Sequence, residues 1–313
     1  MAATPPLAAL AASGGVAAKE PVAGLAGEVT RLPFPHPYRC PLGLGGEAAE
    51  RLCASYVEHL LADPCGGVAP PAAMVLEPVQ GEGGVVPAPD GWLQAMRRIT
   101  AAHGIPLIVD EVQTGVGRTG TAWGVDHSGV IPDAMVISKA IGGGLPMAAV
   151  IYDESLDGWA PGAHTGTFRG TTLALAAGAA TLRIVSAEGL AERAAELGGR
   201  LLERLSDLAD ERPSIGHVRG RGLMLGVELV APDGEPDGAG ARPACTGVAL
   251  RARSECLRRG LIVELGGRHD AVLRLLPPLI MSEAEADSVL ERLAEALEAA
   301  ERGYLEALGR RPV

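Results

Sequence analysis

Aromatic side chains and lysine are scarce in this sequence, and it lacks long hydrophobic runs and any surplus of positive charge. Aromatic residues make up 3% of the 313 residues, although apolar residues make up 47%. The core must therefore be built from Ala, Val, Leu and Ile, and the apolar content excludes a disordered chain. The length indicates one large or two moderate domains.

The charge balance and the cysteines exclude several further classes. The 38 acidic residues outweigh 27 basic ones and give a net charge of −11, which argues against a nucleic-acid partner. No run of about 18 uncharged apolar residues occurs, so we expect no membrane span. The Ala-rich start lacks the basic region of a signal peptide. Five cysteines without a CxxC pair favour reduced thiols and a cytoplasmic location.

Motifs of other enzyme classes are missing as well. The sequence has no GxSxG motif, which argues against a serine hydrolase of that type. Its seven histidines show no metal-ligand spacing, so no metal site is predicted. The only run of three glycines, at residues 142–144, does not match a phosphate-binding P-loop.

Lysine is nearly absent, and one of its two occurrences stands in a distinctive context. The 27 basic residues comprise 25 arginines and only Lys19 and Lys139, the latter within VISKAIGGGLP (136–146). An amine can lose its proton and attack a carbonyl, and burial lowers its pKa toward that role, whereas a guanidinium stays charged. A strand-end lysine that reaches water is the plainer alternative. The glycines that follow allow a backbone to approach a ligand closely, so Lys139 is a candidate nucleophile and Lys19 a surface charge.

Apolar runs alternate with helical spacing in the first part of the chain. Residues 1–45 are predicted to be loop with one short strand. The predicted helices are 46–62 and 91–103, the second capped by Asp90. The predicted strands are 72–78, 105–111, 133–139 and 147–152. Nearly all-apolar strands between helices predict an α/β fold with a parallel or mixed sheet covered on both faces.

The pattern changes after residue 171. The predicted helices are 172–185, 189–210, 247–259 and 282–303, and the predicted strands are 222–229, 261–265 and 272–276, with a loop over 231–243. This order predicts a smaller α+β domain in the second part. We therefore divide the chain into domains 1–187 and 188–313.

Three charged residues follow the ends of apolar strands, namely Glu77, Asp110 and Lys139. Ligands collect beyond the carboxyl ends of such strands. Burying a carboxylate at the position of Asp110 costs free energy unless it pairs with a cation. A protonated pyridine nitrogen is such a cation. Pyridoxal phosphate (PLP) is held by a Schiff-base lysine and an acid on its ring nitrogen. The alternative for Asp110 is the capping of the following turn.

Four segments in order carry a family resemblance: EPVQGEGGVVPAP (77–89), LIVDEVQTGVGRTG (107–120), PDAMVISKAIGGGLP (132–146) and HTGTFRGT (164–171). Together they resemble class III, fold-type I PLP-dependent aminotransferases over residues 72–280. The resemblance implies a mostly parallel sheet with helices on both faces and a smaller C-terminal α+β domain. It also implies an amino donor and a 2-oxo acid as substrates.

The resemblance assigns cofactor roles to five residues. Lys139 would form the Schiff base with PLP, and Asp110 would contact the pyridine nitrogen. Val112 would lie against the ring face and Gln113 near the phenolic oxygen. Thr167 would bind the cofactor phosphate of the neighbouring subunit, which implies a homodimer with shared active sites.

The resemblance also implies a substrate-binding pair, Glu82 with Arg274, the arginine of LRLLPPL (273–279). A site that binds an amine in one half-reaction and a dicarboxylate in the other needs an arginine that is masked and then released. A loop acid and a strand-edge charge are the plainer alternatives. Glu77 is expected to support the site rather than to react.

Narrower matches indicate one subfamily. Segments 33–52, 159–170 and 259–283 resemble diaminobutyrate–2-oxoglutarate aminotransferases. This implies transfer of the 4-amino group of L-2,4-diaminobutyrate to 2-oxoglutarate, giving L-aspartate 4-semialdehyde and glutamate, with Lys139 moving the proton between substrate and cofactor. An ornithine, acetylornithine or 4-aminobutyrate type of enzyme is the alternative.

The sequence departs from the family pattern at two places. The N-terminal portion that cradles the cofactor phosphate at a helix start has no match here, so we expect an N-terminally truncated chain that retains PLP weakly. An upstream start codon, a frameshift or a catalytically silent homologue would each account for it. Thr171 also stands where the family usually has Asn.

Overall fold

Two main sheets organise residues 7–20 and 28–309, the part of the chain that the computed structural model describes. The helices in this part are α1 (Leu7–Ala12), α2 (Val16–Lys19), α3 (Gly46–Ala62), α4 (Asp90–Ala102), α5 (Thr172–Ala187), α6 (Leu190–Glu211), α7 (Thr246–Arg258) and α8 (Glu283–Ala307). The strands are β1 (Met74–Leu76), β2 (Val79–Gln80), β3 (Val86–Pro87), β4 (Leu107–Asp110), β5 (Ala134–Ile137), β6 (Ala149–Tyr152), β7 (Ile215–Arg221), β8 (Met224–Leu229), β9 (Glu264–Gly266) and β10 (Val272–Leu275).

The first sheet has the strand order β1-β4-β5-β6. The β1–β4 and β4–β5 pairs are parallel, and the β5–β6 pair is antiparallel. Helices α3 and α4 cover one face because α4 places Trp92, Leu93 and Met96 on one side, where they are buried with Leu107 and Val109. The parallel register brings the carboxyl ends of β4 and β5 to the same edge.

The second sheet is antiparallel in the order β7-β8-β10-β9. Its covering helices α6, α7 and α8 are amphipathic and pack over Leu225, Val227 and Leu229 of β8. The alternate residues of β8 are buried on the opposite face, where Met224 packs with Val79 and Val85. A capping box of Ser282 and Glu285 starts α8. The α/β prediction with a mostly parallel sheet is confirmed, whereas the division at residues 187 and 188 stays a prediction.

Four local predictions require correction. The loop predicted over residues 1–45 contains the two short helices α1 and α2. Residues 28–45 form no strand, because this proline-rich stretch cannot supply the N–H groups of a ladder; residues 1–6 and 21–27 lie outside the described part of the chain, so the short strand stays a prediction there. Asp90 does not cap α4; it is the first helical residue, and its carboxylate accepts a hydrogen bond from Arg221. Strand β7 was not predicted, and β9 begins at residue 264 rather than 261.

The outer edge of the first sheet is uncovered in the single chain. Exposed apolar residues on β6 and α5 include Val150, Ile151, Tyr152, Leu173 and Ile184. No single described helix is long and apolar enough to cross a membrane, and α5 with α6 meets that test only as a pair bent by 63°.

Candidate active site

Lys139 lies directly beyond β5, where a short 3-10 helix (Lys139–Gly142) begins. Its φ of 51° places it in the left-handed region, which costs a residue with a side chain free energy and tends to occur at functional sites. Ser138 fixes the preceding bend through an Oγ–H···O bond of 2.8 Å to Met147. The side chain of Lys139 is exposed, so the burial expected for it is not provided by the described residues of one chain.

The glycines after Lys139 serve helix packing in this structure. A Cβ on Gly143 would lie 2.5 Å from Thr181 Oγ1 on α5, and its φ of 57° would strain any other residue. A Cβ on Gly178 of α5 would in turn approach Ile141 O to 2.5 Å. Close contact with α5 therefore explains Gly143 without a ligand.

Asp110 ends β4 and lies beside Val136 of the parallel neighbour β5, three residues before Lys139. The carboxylate and the amine therefore follow adjacent strands at one edge of the sheet. Asp110 Oδ1 also accepts a hydrogen bond of 2.9 Å from Val112 N–H. The turn-capping alternative is thus realised together with the strand-end position that the cofactor role requires.

Glu82, Gln113 and Arg274 form one contact group. Glu82 Oε1 accepts hydrogen bonds from Gln113 Nε2 at 2.7 Å and from Arg274 Nη1 at 2.8 Å. Burial raises the pKa of Glu82, but the two hydrogen bonds and the charges of Arg274 and Lys139 outweigh it and lower that pKa. The Glu82 side chain is 73% exposed and that of Arg274 is 10% exposed. Such a pair contributes at most about 1 kcal/mol to stability, so it is easily opened.

Glu77 supports the turn that carries Glu82. Its Oε2 accepts a hydrogen bond of 2.9 Å from Gly81 N–H. Burial raises the pKa of Glu77, and the charges of Asp110 and Glu82 raise it further, whereas Gly81 N–H and the charge of Lys139 lower it. The acids and the lysine therefore share one electrostatic environment, and the supporting role of Glu77 stays a prediction.

Two buried polar atoms in this group lack a partner among the described residues: Gln113 Oε1 and Arg274 Nε. Buried polar groups in proteins are almost always paired, so an unpaired acceptor and an unpaired donor on two residues that both contact Glu82 indicate a site that a bound molecule completes. With the amine of Lys139 and the carboxylate of Asp110 at adjacent strand ends, these residues fit the ring of a pyridine cofactor.

Thr167 lies apart from the other candidate site residues. It lies in a loop in which residues 153–171 are all exposed, and no contact joins it to Lys139 or Asp110. Thr171, the departure from the family pattern, donates its hydroxyl to Phe168 O at 2.6 Å and so closes a local turn.

Two buried groups near the site were missed by the sequence predictions. Glu111 accepts hydrogen bonds from Gly124 N–H at 2.9 Å, from Val125 N–H at 2.8 Å and from the Thr114 hydroxyl. Burial raises the pKa of Glu111 although these bonds lower it. The second group is the Arg219–Glu228 ion pair at 2.6 Å. An acid directly after Asp110 was the only available signal for the first; the second has none in the local sequence.

Fold-type I transaminases share this architecture. An ω-transaminase from Thermomicrobium roseum, described as thermostable and (S)-enantioselective, superposes with a TM-score of 0.78 at 35% identity, covering 94% of this chain and 65% of that one. An ornithine aminotransferase from Plasmodium yoelii gives 0.68 at 30% identity, covering 79% and 61%.

The chain belongs to the class III aminotransferase family, whose model matches residues 6–297. A diaminobutyrate–2-oxoglutarate aminotransferase from Rhizobium meliloti (strain 1021) is 57% identical over 85% of this chain and 57% of that relative. Its counterpart from Haemophilus influenzae is 43% identical over 92% and 64%. The chain thus spans less than two thirds of these relatives. Enzymes of this family depend on PLP, as the sequence predicted.

Proposed function

We propose that the protein transfers the 4-amino group of L-2,4-diaminobutyrate to 2-oxoglutarate and so forms L-aspartate 4-semialdehyde and glutamate. The observation that carries the proposal is the Glu82–Arg274 contact, in which one arginine is covered by an acid that is easily displaced. The two relatives named for this reaction, at 57% and 43% identity, support the choice of donor.

The strand-end residues would hold the cofactor. Lys139 offers the amine, Asp110 the carboxylate toward a ring nitrogen, Val112 an apolar contact and Gln113 a polar contact at the ring edge. When bound, PLP supplies a carbonyl for the amino group and an electron sink for the carbon that loses a proton. The Lys139 amine, once neutral, takes up that proton and returns it.

The covered arginine explains how two unlike substrates share a site. With Glu82 against it, Arg274 presents little net charge and tolerates the second ammonium group of the diamine. With Glu82 displaced, the guanidinium is free to bind the distal carboxylate of 2-oxoglutarate in a bidentate manner. The exposure of Glu82 makes this displacement inexpensive in free energy.

We further propose that two chains complete each other's sites in a homodimer. Thr167 would then bind the cofactor phosphate of the partner subunit, an arrangement supported by its place in an exposed loop apart from Lys139. A cytoplasmic location is also proposed, and the five free cysteines are compatible with it.

The test compares Lys139→Ala with Lys19→Ala, because these are the two lysines of the sequence. We expect the wild-type chain and Lys19→Ala to bind PLP and to retain it after borohydride reduction, measured by absorbance and intact mass. Lys139→Ala should retain none and lose activity by about 10²- to 10⁴-fold or more. Equal retention in both variants would refute the assignment of Lys139.

The choice of substrate is tested by the rates with L-2,4-diaminobutyrate, ornithine, acetylornithine and 4-aminobutyrate. An acetylornithine aminotransferase from Mycobacterium bovis is 37% identical over 93% of this chain, which favours that donor as the second candidate. A preference for any other donor would overturn the proposed substrate but not the chemistry. PLP retention without activity would instead identify a catalytically silent homologue, a hypothesis supported by the exposure of Lys139.

A further inference from the structure

A buried arginine on the second sheet holds the turn that carries Glu82. We call residues 81–85 the Glu82 turn. Arg219 of β7 donates from Nη2 to Gly84 O at 2.7 Å and from Nε to Val85 O at 3.0 Å. Its remaining amino group, Nη1, donates to Glu228 Oε2 at 2.6 Å. Both charged side chains are only 4% exposed, so the guanidinium is fixed on both sides.

The Glu82 turn adopts a conformation that requires such a restraint. Val85 has a φ of 53°, which is unfavourable for a β-branched residue, and Gly84 has a φ of 105°. The turn is pressed against the second sheet: a Cβ on Gly84 would lie 2.9 Å from Gly267 Cα. Val85 is buried with Val79 and Met224. A strained backbone of this kind persists only where its surroundings hold it.

Glu82 is itself one of the points at which the turn is attached to residues of the second sheet and the loop after β9. Its own carbonyl accepts a hydrogen bond of 3.0 Å from Gly267 N–H. Two and three residues further along, the carbonyls of Gly84 and Val85 are held by Arg219. The exposed carboxylate of Glu82 cannot fix the turn, so its place beside Arg274 depends on these backbone attachments.

Glu228 determines where Arg219 can point. It accepts from Arg219 with Oε2 and from Arg39 with Oε1, and it is opposite Val272 in the β8–β10 ladder, two residues before Arg274. The arginine that holds the turn and the arginine that the turn covers therefore belong to one rigid sheet. This common support fixes their relative positions.

We propose that Arg219, oriented by Glu228, is a positioning residue that keeps Glu82 over Arg274 and thereby sets the discrimination between cationic and dicarboxylate substrates. The part concerning substrates rests on the function proposed above. A lysine in place of Arg219 keeps the charge but loses the planar fork that binds two carbonyls and a carboxylate together. Arg274 should then be uncovered more often.

The decisive variant is Arg219→Lys, with Arg221→Lys as its matched control. Arg221 lies on the same strand and donates to Ala88 O at 3.1 Å and Asp90 Oδ1 at 2.8 Å, beyond the Glu82 turn. Glu228→Gln is the second variant, because it keeps the shape of the side chain and removes the charge that orients Arg219. Circular dichroism of the full chain identifies any variant that has not folded.

The first readout is hydrogen exchange at Gly267 N–H, which needs no activity. We expect exchange roughly 10-fold faster in Arg219→Lys and Glu228→Gln than in the wild type, and unchanged in Arg221→Lys. The second readout is a pair of KM values. Arg219→Lys should raise KM for the diamine roughly 10-fold and leave KM for 2-oxoglutarate unchanged or lower, since an uncovered guanidinium repels one and attracts the other.

The two readouts separate the possible failures. Unchanged exchange at Gly267 in folded Arg219→Lys and Glu228→Gln would overturn the positioning role. An equal rise of both KM values would show a merely structural effect and overturn the substrate discrimination. The wild-type protein could also show no transamination while Gly267 N–H exchanges faster in the two variants than in the wild type. That result would support the positioning of the turn and contradict only the proposed function.

Discussion

The two sheets differ in how completely the chain itself covers them. Around the second sheet, α6, α7 and α8 enclose a continuous apolar core that includes Leu225, Val227 and Leu229 of β8. Along the first sheet, β6 and the loop up to residue 171 are exposed, and so is Lys139. The candidate nucleophile therefore lies on the less covered part, whereas Arg274 lies on the enclosed part.

The enclosed second sheet therefore provides rigidity, and the exposed edge of the first sheet carries the candidate nucleophile. Charged groups that must keep a fixed geometry are best held on rigid elements with buried partners. Arg219, paired with the buried Glu228, follows that rule, whereas Arg274 lies on a strand but pairs with the exposed Glu82. The exposed edge contributes the lysine but little stability of its own. Substitutions in the enclosed part should therefore affect folding, and those at the edge mainly activity.

The largest expected effect comes from the enclosed core. Leu273→Ala in β10 removes a fully buried side chain and should lower the free energy of unfolding by about 2–5 kcal/mol. Val150→Ala on β6, where the side chain is exposed, should change it by less than about 0.5 kcal/mol. Urea denaturation measures both. Similar losses in the two variants would remove the distinction between the sheets.

A variant of Glu111 tests whether the first sheet also has a charged group that is held rigidly by buried partners. Glu111→Gln replaces an acceptor of backbone N–H bonds by a group that is partly a donor, in a side chain that is 1% exposed. We expect a loss of about 1–3 kcal/mol in the free energy of unfolding. The exposed Glu154→Gln is the control, and an equally small effect in both would contradict the rigid role.

The third effect is a pH dependence at His36, beside the Arg219–Glu228 pair. Burial, then the charge of Arg219, lowers the pKa of His36 from 6.5 to about 3. The imidazole stays neutral in the fold and accepts two backbone hydrogen bonds. Its contribution is complete above pH 6.5 and is lost as the pH falls toward 3, because the unfolded chain binds the proton first.

At pH 5.5 this loss amounts to about 1.4 kcal/mol. His36→Gln should therefore show a smaller fall in the free energy of unfolding between pH 7.5 and 5.5 than the wild type, measured by denaturation at both pH values. His103→Gln, at an exposed histidine, should keep the wild-type fall. An unchanged pH dependence in His36→Gln would argue against a neutral, buried imidazole.

The smallest effect on stability is expected at Glu82. Glu82→Gln should change the free energy of unfolding by less than about 1 kcal/mol, because the pair with Arg274 is largely exposed on the Glu82 side. It should nevertheless raise KM for the diamine. Glu283→Gln, which opens the exposed pair with Arg200, is the control that should leave KM unchanged. A large loss of stability in Glu82→Gln would contradict this expectation and show that the Glu82 side chain stabilises the fold.

The sequence predicted those elements whose pattern is local. Strands β1, β4 and β5 are apolar runs between helices with clear spacing, and each was predicted. Strand β7, IGHVRGR, was missed because its two inner polar positions, Arg219 and Arg221, are held by ion pairs rather than by apolar contacts. Propensity does not reveal such a strand.

Only those site residues that lie in recognisable sequence motifs could be predicted. Lys139, Asp110, Glu82 and Arg274 stand in recognisable segments, and the structure brings the last two into contact. The attachment of Arg219 to Gly84 joins residues 135 positions apart. Such a partner is fixed by tertiary packing and leaves no local signal.

The exposure of Lys139 has a practical consequence for anyone who handles the protein. The other lysine, Lys19, is half-buried and donates its ammonium to Ser13 O at 2.8 Å. An acylating reagent selective for amines would thus meet the side chain of Lys139 more readily than that of Lys19. The protein carries a natural attachment point for a fluorophore or an isotopic tag, and it reports directly on whatever occupies that strand end.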